Sequence, residues 1–216
     1  MPLMTRAEII RRIIDPGIIA IIRADSPDAL IPAAGALIAG GMATMEITMN
    51  TPGALEVIRS AVAEYGSGIL MGAGTVLDAE TCRTAILVGA EFIVTPVLNL
   101  DVIRMCNRYG KAVICGAYTP TEALTAHEAG ADFIKIFPAD QLGPGYIRNI
   151  LAPLPMLRII PTGGVTPETA AAYLEAGCAA LAVGARLISR EILASRDWGK
   201  LSAGAAVYVE AARNRR

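Results

Sequence analysis

The chain has 216 residues, of which 54% are hydrophobic and 18% charged, with a formal net charge of −1. That composition excludes general disorder and points to a well-buried globular fold. With no basic footprint, neither nucleic acid nor an anionic membrane surface is expected as a partner.

In chain order, the first segment, MTRAEIIRRIIDPG, reads as an amphipathic helix with Ile9, Ile10, Ile13 and Ile14 on one face and Pro16-Gly17 as its stop. It lacks the charged, apolar, small-residue order of a secretory leader. The apolar run that follows, Ile18–Ile22, is far short of the ~20 residues that span a bilayer. Eight short apolar segments then start near Ile18, Met42, Gly68, Glu91, Lys111, Asp132, Leu157 and Cys178, spaced 20 to 26 residues apart. Helical patterns follow them, opened by capping or first-turn signals at Ser26-Pro27-Asp28, Thr51-Pro52, Asp78, Asn99, Thr119-Pro120 and Thr166-Pro167. The stretch from Trp198 to Arg216 reads as a final surface helix.

The strands are continuous apolar runs, as expected when both faces are buried in a parallel sheet wrapped by helices. Eight strand–helix units without a composition break predict one α/β domain over residues 1–216, a (β/α)8 TIM barrel with an N-terminal helix and a C-terminal extra helix. A doubly wound open sheet is the competing architecture, but no G-x-G-x-x-G opens a first helix. Cys82, Cys106, Cys115 and Cys178 form no C-x-x-C pair, and the single histidine, His127, sits late in a helix before Gly130. No metal, no cofactor and no disulfide framework are expected, and the thiols suit a cytoplasmic location.

In such a barrel the chemistry belongs at the C-terminal ends of the strands. Lys135, in Ala131-Asp132-Phe133-Ile134-Lys135-Ile136-Phe137-Pro138, has apolar neighbours on both sides. Burial there would lower its pKa and leave a nucleophilic amine, as imine chemistry on a keto substrate requires. An isolated strand lysine more often reaches solvent or pairs with a carboxylate. Glu46, equally mid-strand in Ala43-Thr44-Met45-Glu46-Ile47-Thr48, shifts that balance. It lies on strand two and Lys135 on strand six, so both can project into one interior layer, where a carboxyl can move protons for the amine. A buried ion pair that only held the core would add little stability.

Thr162-Gly163-Gly164 follows strand seven and Gly184-Ala185-Arg186 follows strand eight. Glycines before helices let backbone N–H groups approach an anion, and loops seven and eight often hold phosphate, although a tight turn explains each pair alone equally well. Thr75 offers a hydroxyl to a carboxylate or a turn, Thr95-Pro96 and Phe137-Pro138 shape pocket walls or pack, and Arg23 binds an anion or is simply solvated.

Glu46 in MEIT, Gly72 to Leu77 as GAGTVL, Thr95-Pro96, FIKIFPA around Lys135 and PTGG at 161–164 resemble the class I aldolases for 2-keto-3-deoxy-6-phosphogluconate and 4-hydroxy-2-oxoglutarate. The resemblance runs from about Ile13 to Ile188. It implies a metal-free, commonly trimeric (β/α)8 enzyme that cleaves a 2-keto-4-hydroxy acid to pyruvate and an aldehyde such as glyceraldehyde 3-phosphate or glyoxylate. By its motif, Lys135 is the Schiff-base lysine and Glu46 the general acid/base. Thr75, Pro96 and Phe137 line the pyruvyl half, and Gly163, Gly164 and the Gly184-Ala185 backbone hold phosphate. Two positions depart from the gluconate pattern: Asn50 stands for an arginine that helps bind the substrate carboxylate, and Ala185 for a serine that helps bind phosphate. Asn50 and Leu142–Tyr146 look like the 6-phosphogalactonate branch. Competing readings are a non-imine phosphate-binding barrel, an isomerase or synthase, and a binding module that kept the barrel.

Overall fold

A computed structural model describes residues 4–213. Residues 214–216, the end of the predicted final helix, lie outside the described residues. Helix α1 (Arg6–Ile14) is followed by β1 (Ile18–Ile22), α2 (Leu30–Ala39), β2 (Thr44–Thr48), α3 (Ala54–Tyr65), β3 (Leu70–Gly74) and α4 (Ala79–Leu87). Next come β4 (Phe92–Val94), α5 (Leu100–Arg108), β5 (Ala112–Ala117), α6 (Pro120–Glu128), β6 (Phe133–Ile136) and α7 (Gly143–Leu151). The chain ends with β7 (Ile159–Pro161), α8 (Pro167–Glu175), β8 (Leu181–Val183), α9 (Arg190–Ser195) and α10 (Trp198–Arg213).

The strands form one parallel sheet in the order β7-β6-β5-β4-β3-β2-β1-β8. A parallel bridge from Thr162 to Ala182 and a hydrogen bond from the Ala179 N–H to the Ile159 carbonyl (2.8 Å) join its two ends. The sheet therefore closes into the (β/α)8 barrel the strand spacing predicts, with the extra helix α10 packed on α2 and α8. Because every strand runs the same way, all eight C-terminal ends face one rim.

Alternation along the strands divides the core in two. Inward-pointing Ile19, Leu70, Phe92, Val94, Ala112, Ile114, Phe133, Ile160 and Ala182 form one apolar cluster. Outward-pointing Met45, Ile47, Met71, Ala73, Ile93, Val113, Ile134, Ile136, Ile159 and Leu181 pack under the helices in another. Helix α1 closes the bottom of the inner cluster. A capping box starts it, with the Thr5 N–H donating to Glu8 Oε2 (2.7 Å) and the Glu8 N–H to Thr5 Oγ1 (3.3 Å). Ile9 and Ile13 are fully buried there, whereas Ile10 is half-buried and Ile14 is exposed. The buried stripe is thus narrower than the sequence suggests, because one edge of the helix suffices as a plug. The Arg6 guanidinium fastens it, donating to both Asp132 carboxylate oxygens and to the Gly130 carbonyl.

The predicted caps at Asp78, Asn99, Thr119 and Thr166 each accept an N–H from their helix. The other two do not. Helices α2 and α3 start after Ala29 and Gly53 without a side-chain cap. Ser26 Oγ is instead engaged by Asp28 (2.8 Å). Thr51 Oγ1 is turned inward, accepting the Ala24 N–H (3.3 Å) and facing Thr48 Oγ1 (3.3 Å), so it ties the first two loops together.

Candidate active site

Lys135 is the third residue of β6 and points into the barrel above Phe133, between Gly116 of β5 and Ile160 of β7 in the strand register. Its neighbours are apolar because this interior is built from strand residues that must be dry. The residue is only 7% exposed, and burial pushes the amine below the ordinary lysine range. Glu46 acts against that shift as a nearby negative charge, and the cation of Arg23 adds to it. Glu46 is the central residue of β2, 2% exposed, and points into the same interior. Burial raises its carboxyl, while Lys135 and Arg23 pull it back down.

Desolvation thus drives both groups toward their neutral forms, an amine and a carboxylic acid. They lie within electrostatic reach of each other but form no direct ion pair among the described residues. Glu46 Oε1 is buried without a hydrogen-bond partner. A buried polar atom left unpaired costs on the order of 1–3 kcal/mol, so its position is maintained against that cost. Thr162 Oγ1, at the end of β7, is a second such atom.

The remaining predicted residues gather on the same rim. Arg23 and Asn50, just beyond β1 and β2, are exposed, as is Ala185 beyond β8. Thr75, directly after β3, holds φ at +57°, the left-handed region that β-branched side chains avoid. Such strain, worth roughly 1–3 kcal/mol, persists where the surroundings fix a residue for a purpose. The Phe137 ring lies with its centroid 5.3 Å from Lys135 Nζ, and a Cβ on Gly163 would touch the ring edge at 3.6 Å, so the ring adjoins both the amine and the glycine loop. Gly163 and Gly164 both adopt left-handed φ, +93° and +71°, and a side chain on Gly164 would strike Asp140. Gly184 has ordinary φ and room for a Cβ, at 3.5 Å from Ile21, so the turn itself does not require glycine.

Sequence reasoning gave Gly74 and Gly116 no role of their own, and read Thr95 with Pro96 only as pocket wall or packing. A side chain on Gly74 would overlap the Glu46 carboxylate, and one on Gly116 would overlap the Pro96–Val97 backbone. Thr95, fully buried, bonds to both sides of that second contact. A glycine inside a strand is the available signal of close approach. A surface groove lined by Leu77, Asp78, Asn99, Arg104 and Arg108 lies outside the barrel and contains neither Lys135 nor Glu46.

A closed (β/α)8 barrel with a buried lysine and a buried glutamate facing its C-terminal end has the architecture of an enzyme. The family model for KDPG and KHG aldolases matches residues 9–203. The chain belongs to that family and is an aldolase, a carbon–carbon lyase. It is 42% identical over 171 residues to the 2-dehydro-3-deoxy-6-phosphogalactonate aldolase of Escherichia coli (strain K12), covering 79% of this chain and 83% of that protein. It is 33% identical over 187 residues to the 2-dehydro-3-deoxy-phosphogluconate aldolase of Treponema pallidum (strain Nichols), covering 86% and 89%. A solved structure described as "Native KDPGal structure" superposes with TM-score 0.85 at 39% identity, covering 92% of this chain and 95% of that one.

Proposed function

We propose that this aldolase cleaves a 2-keto-3-deoxy-6-phospho sugar acid reversibly to pyruvate and glyceraldehyde 3-phosphate through an imine on Lys135. The observation that carries the reading is the pairing of a desolvated lysine with a buried carboxyl, one oxygen of which has no hydrogen-bond partner, on facing walls of one barrel.

The Lys135 lone pair forms a bond to C2 of the keto acid. Glu46 in its acid form supplies the proton with which the former carbonyl oxygen leaves as water, and the nitrogen keeps the positive charge of a protonated imine. That cation accepts the electron pair of the C3–C4 bond as the bond breaks. The Glu46 carboxylate then takes the C4 hydroxyl proton, so the departing fragment leaves as an aldehyde. The resulting enamine is protonated at C3, and water hydrolyses the imine to free pyruvate and restore the amine. Thr75 and Thr162 offer hydroxyls to the substrate's polar groups, Pro96 and Phe137 line the pyruvyl half, and Arg23 and Asn50 take the carboxylate end. The Gly163-Gly164 backbone, with that of Gly184-Ala185, holds the phosphate.

Configuration at C4 is the second choice to be made. Identity is higher to the phosphogalactonate relative (42%) than to the phosphogluconate one (33%), and Asn50 points the same way, so the galactonate-derived substrate is favoured over the gluconate- and hydroxyglutarate-derived ones. Coupling pyruvate release to a reporter dehydrogenase across the three substrates tests both points. Turnover of the galactonate-derived substrate above the others is expected, and no pyruvate from any of them would defeat the proposal. The working unit is a homotrimer, supported by exposed apolar side chains at Leu77, Val97, Leu100 and Tyr118 around one rim, and sedimentation checks it. Cysteines that are not joined in disulfides suit the cytoplasm, and carbohydrate breakdown is the matching metabolic role.

A further inference from the structure

We propose that Thr95 is a positioning residue for the reaction: its buried hydroxyl clamps the Pro96 turn against Gly116 and so fixes the wall beside Lys135. This rests on the imine reading above.

Strand β4 pairs with β5 only from Phe92 to Val94, opposite Ala112 to Ile114. The Thr95 N–H still donates to the Ile114 carbonyl (3.1 Å). One step further, the Gly116 N–H meets Thr95 Oγ1 (3.0 Å). The same Oγ1 donates its own proton to the Val97 carbonyl (2.7 Å). One hydroxyl thus accepts from the neighbouring strand and donates to its own loop, using both of its capacities. A side chain continues the ladder, and the main chain is free to turn at Pro96.

The turn does not swing into solvent. Its backbone lies where a Cβ on Gly116 would be, against the bare strand. Gly116 is the register neighbour of Lys135. Thr95 itself has no exposed surface and its bond from the Gly116 N–H is buried, so water does not compete for that bond. The consequence is a wall whose distance from the amine's strand is set by two hydrogen bonds and one missing methyl group. A threonine that merely satisfied a buried N–H would stabilise the fold without bearing on the amine.

The test compares Thr95→Val, which removes the hydroxyl at nearly constant shape, with Thr95→Ser, which keeps it. The readouts are kcat and KM for pyruvate release and the pH profile of borohydride trapping with pyruvate. Thr95→Val is expected to lower kcat about tenfold or more, the scale of an orphaned buried N–H. It should also move the acid limb of trapping to higher pH, because a loosened wall lets water reach Lys135. Thr95→Ser should stay within about threefold of the parent, as a kept hydrogen bond allows. Gly116→Ala, which keeps the hydroxyl but displaces the turn, should reproduce the Val variant's kcat loss and pH shift, and it decides the matter should Thr95→Val not fold. Parent-like kcat and pH profile in either folded variant would overturn the proposal. Failure of the parent protein itself to form a pyruvate adduct at Lys135 would instead overturn the imine reading.

Discussion

The Glu46 carboxylate lies directly over the Cα of Gly74, in space that any side chain on Gly74 would fill. The two residues sit on adjacent strands, with Gly74 opposite Thr48 and Gly72 opposite Glu46 in the register. The absence of a Cβ on β3 is therefore what lets an acid occupy the interior at this level. Gly74→Ala should keep the fold, since the obstructing atoms belong to a side chain that can rotate. It should lower kcat/KM by about 10- to 100-fold, the scale of an ångström-sized misplacement of a reacting group. Steady-state kinetics beside a thermal melt checks it; full activity would mean that the position of Glu46 is not critical.

Thr75 gives a prediction of opposite sign for stability and activity. Its left-handed backbone strains a β-branched residue, a cost of about 1–2 kcal/mol that glycine does not bear. Thr75→Gly should therefore be as stable as the parent or gain up to about 1 kcal/mol, glycine's looser unfolded chain offsetting part of the relief. The same change should reduce kcat/KM roughly tenfold, because a hydroxyl contact to substrate is worth about 1.4 kcal/mol. Denaturant titration and kinetics on one preparation measure both.

Arg23 fixes the direction of a pH effect. Its cation disfavours the ammonium form of Lys135, adding to burial as a cause of the lowered pKa. Removing the charge raises that pKa, so at a given acidic pH less free amine is present. The acid limb of imine formation in Arg23→Gln should accordingly move to higher pH. Trapping rates across pH show it, and a limb that moves to lower pH contradicts the assignment.

Phe137 presents its ring to Lys135 Nζ with the centroid 5.3 Å away, within the range of a cation–π contact. A protonated imine at that nitrogen would keep the charge over the ring. Replacing Phe137 by ring-fluorinated phenylalanines weakens the ring quadrupole while keeping its shape. The imine equilibrium with pyruvate should fall stepwise, by about threefold to tenfold at full substitution. A flat series would leave the ring as a wall only.

The barrel was legible because most strands are apolar runs and helices α4, α5, α6 and α8 carry both a cap and a glycine just past their ends. Lys135 and Glu46 were legible for one reason: a charge flanked by apolar residues within a strand has no cheap place to go. The caps at Ser26 and Thr51 misled because a hydroxyl near a helix start can equally bond within its own loop, as Ser26 does to Asp28, or to a neighbouring loop, as Thr51 does to Ala24. The contacts that Gly74 and Gly116 make room for, and the hydroxyl bonds of Thr95, were not legible, although Thr95-Pro96 stood out as a wall or packing pair. Threonine is an ordinary strand former, and a glycine's sequence context does not say which neighbour fills the space it leaves. The approach of Cys82 Sγ to Cys106 Sγ (3.6 Å) was hidden likewise, because the packing of α4 on α5 has no local sequence mark.

The central claim is that the Lys135 nitrogen bonds to the keto carbon. Incubation with pyruvate and sodium borohydride, followed by proteolysis and mass spectrometry, reads it directly. A reduced pyruvyl adduct on the peptide carrying Lys135, absent from Lys135→Met, is the result expected. An unmodified Lys135 in a sample that still releases pyruvate from substrate would contradict the account.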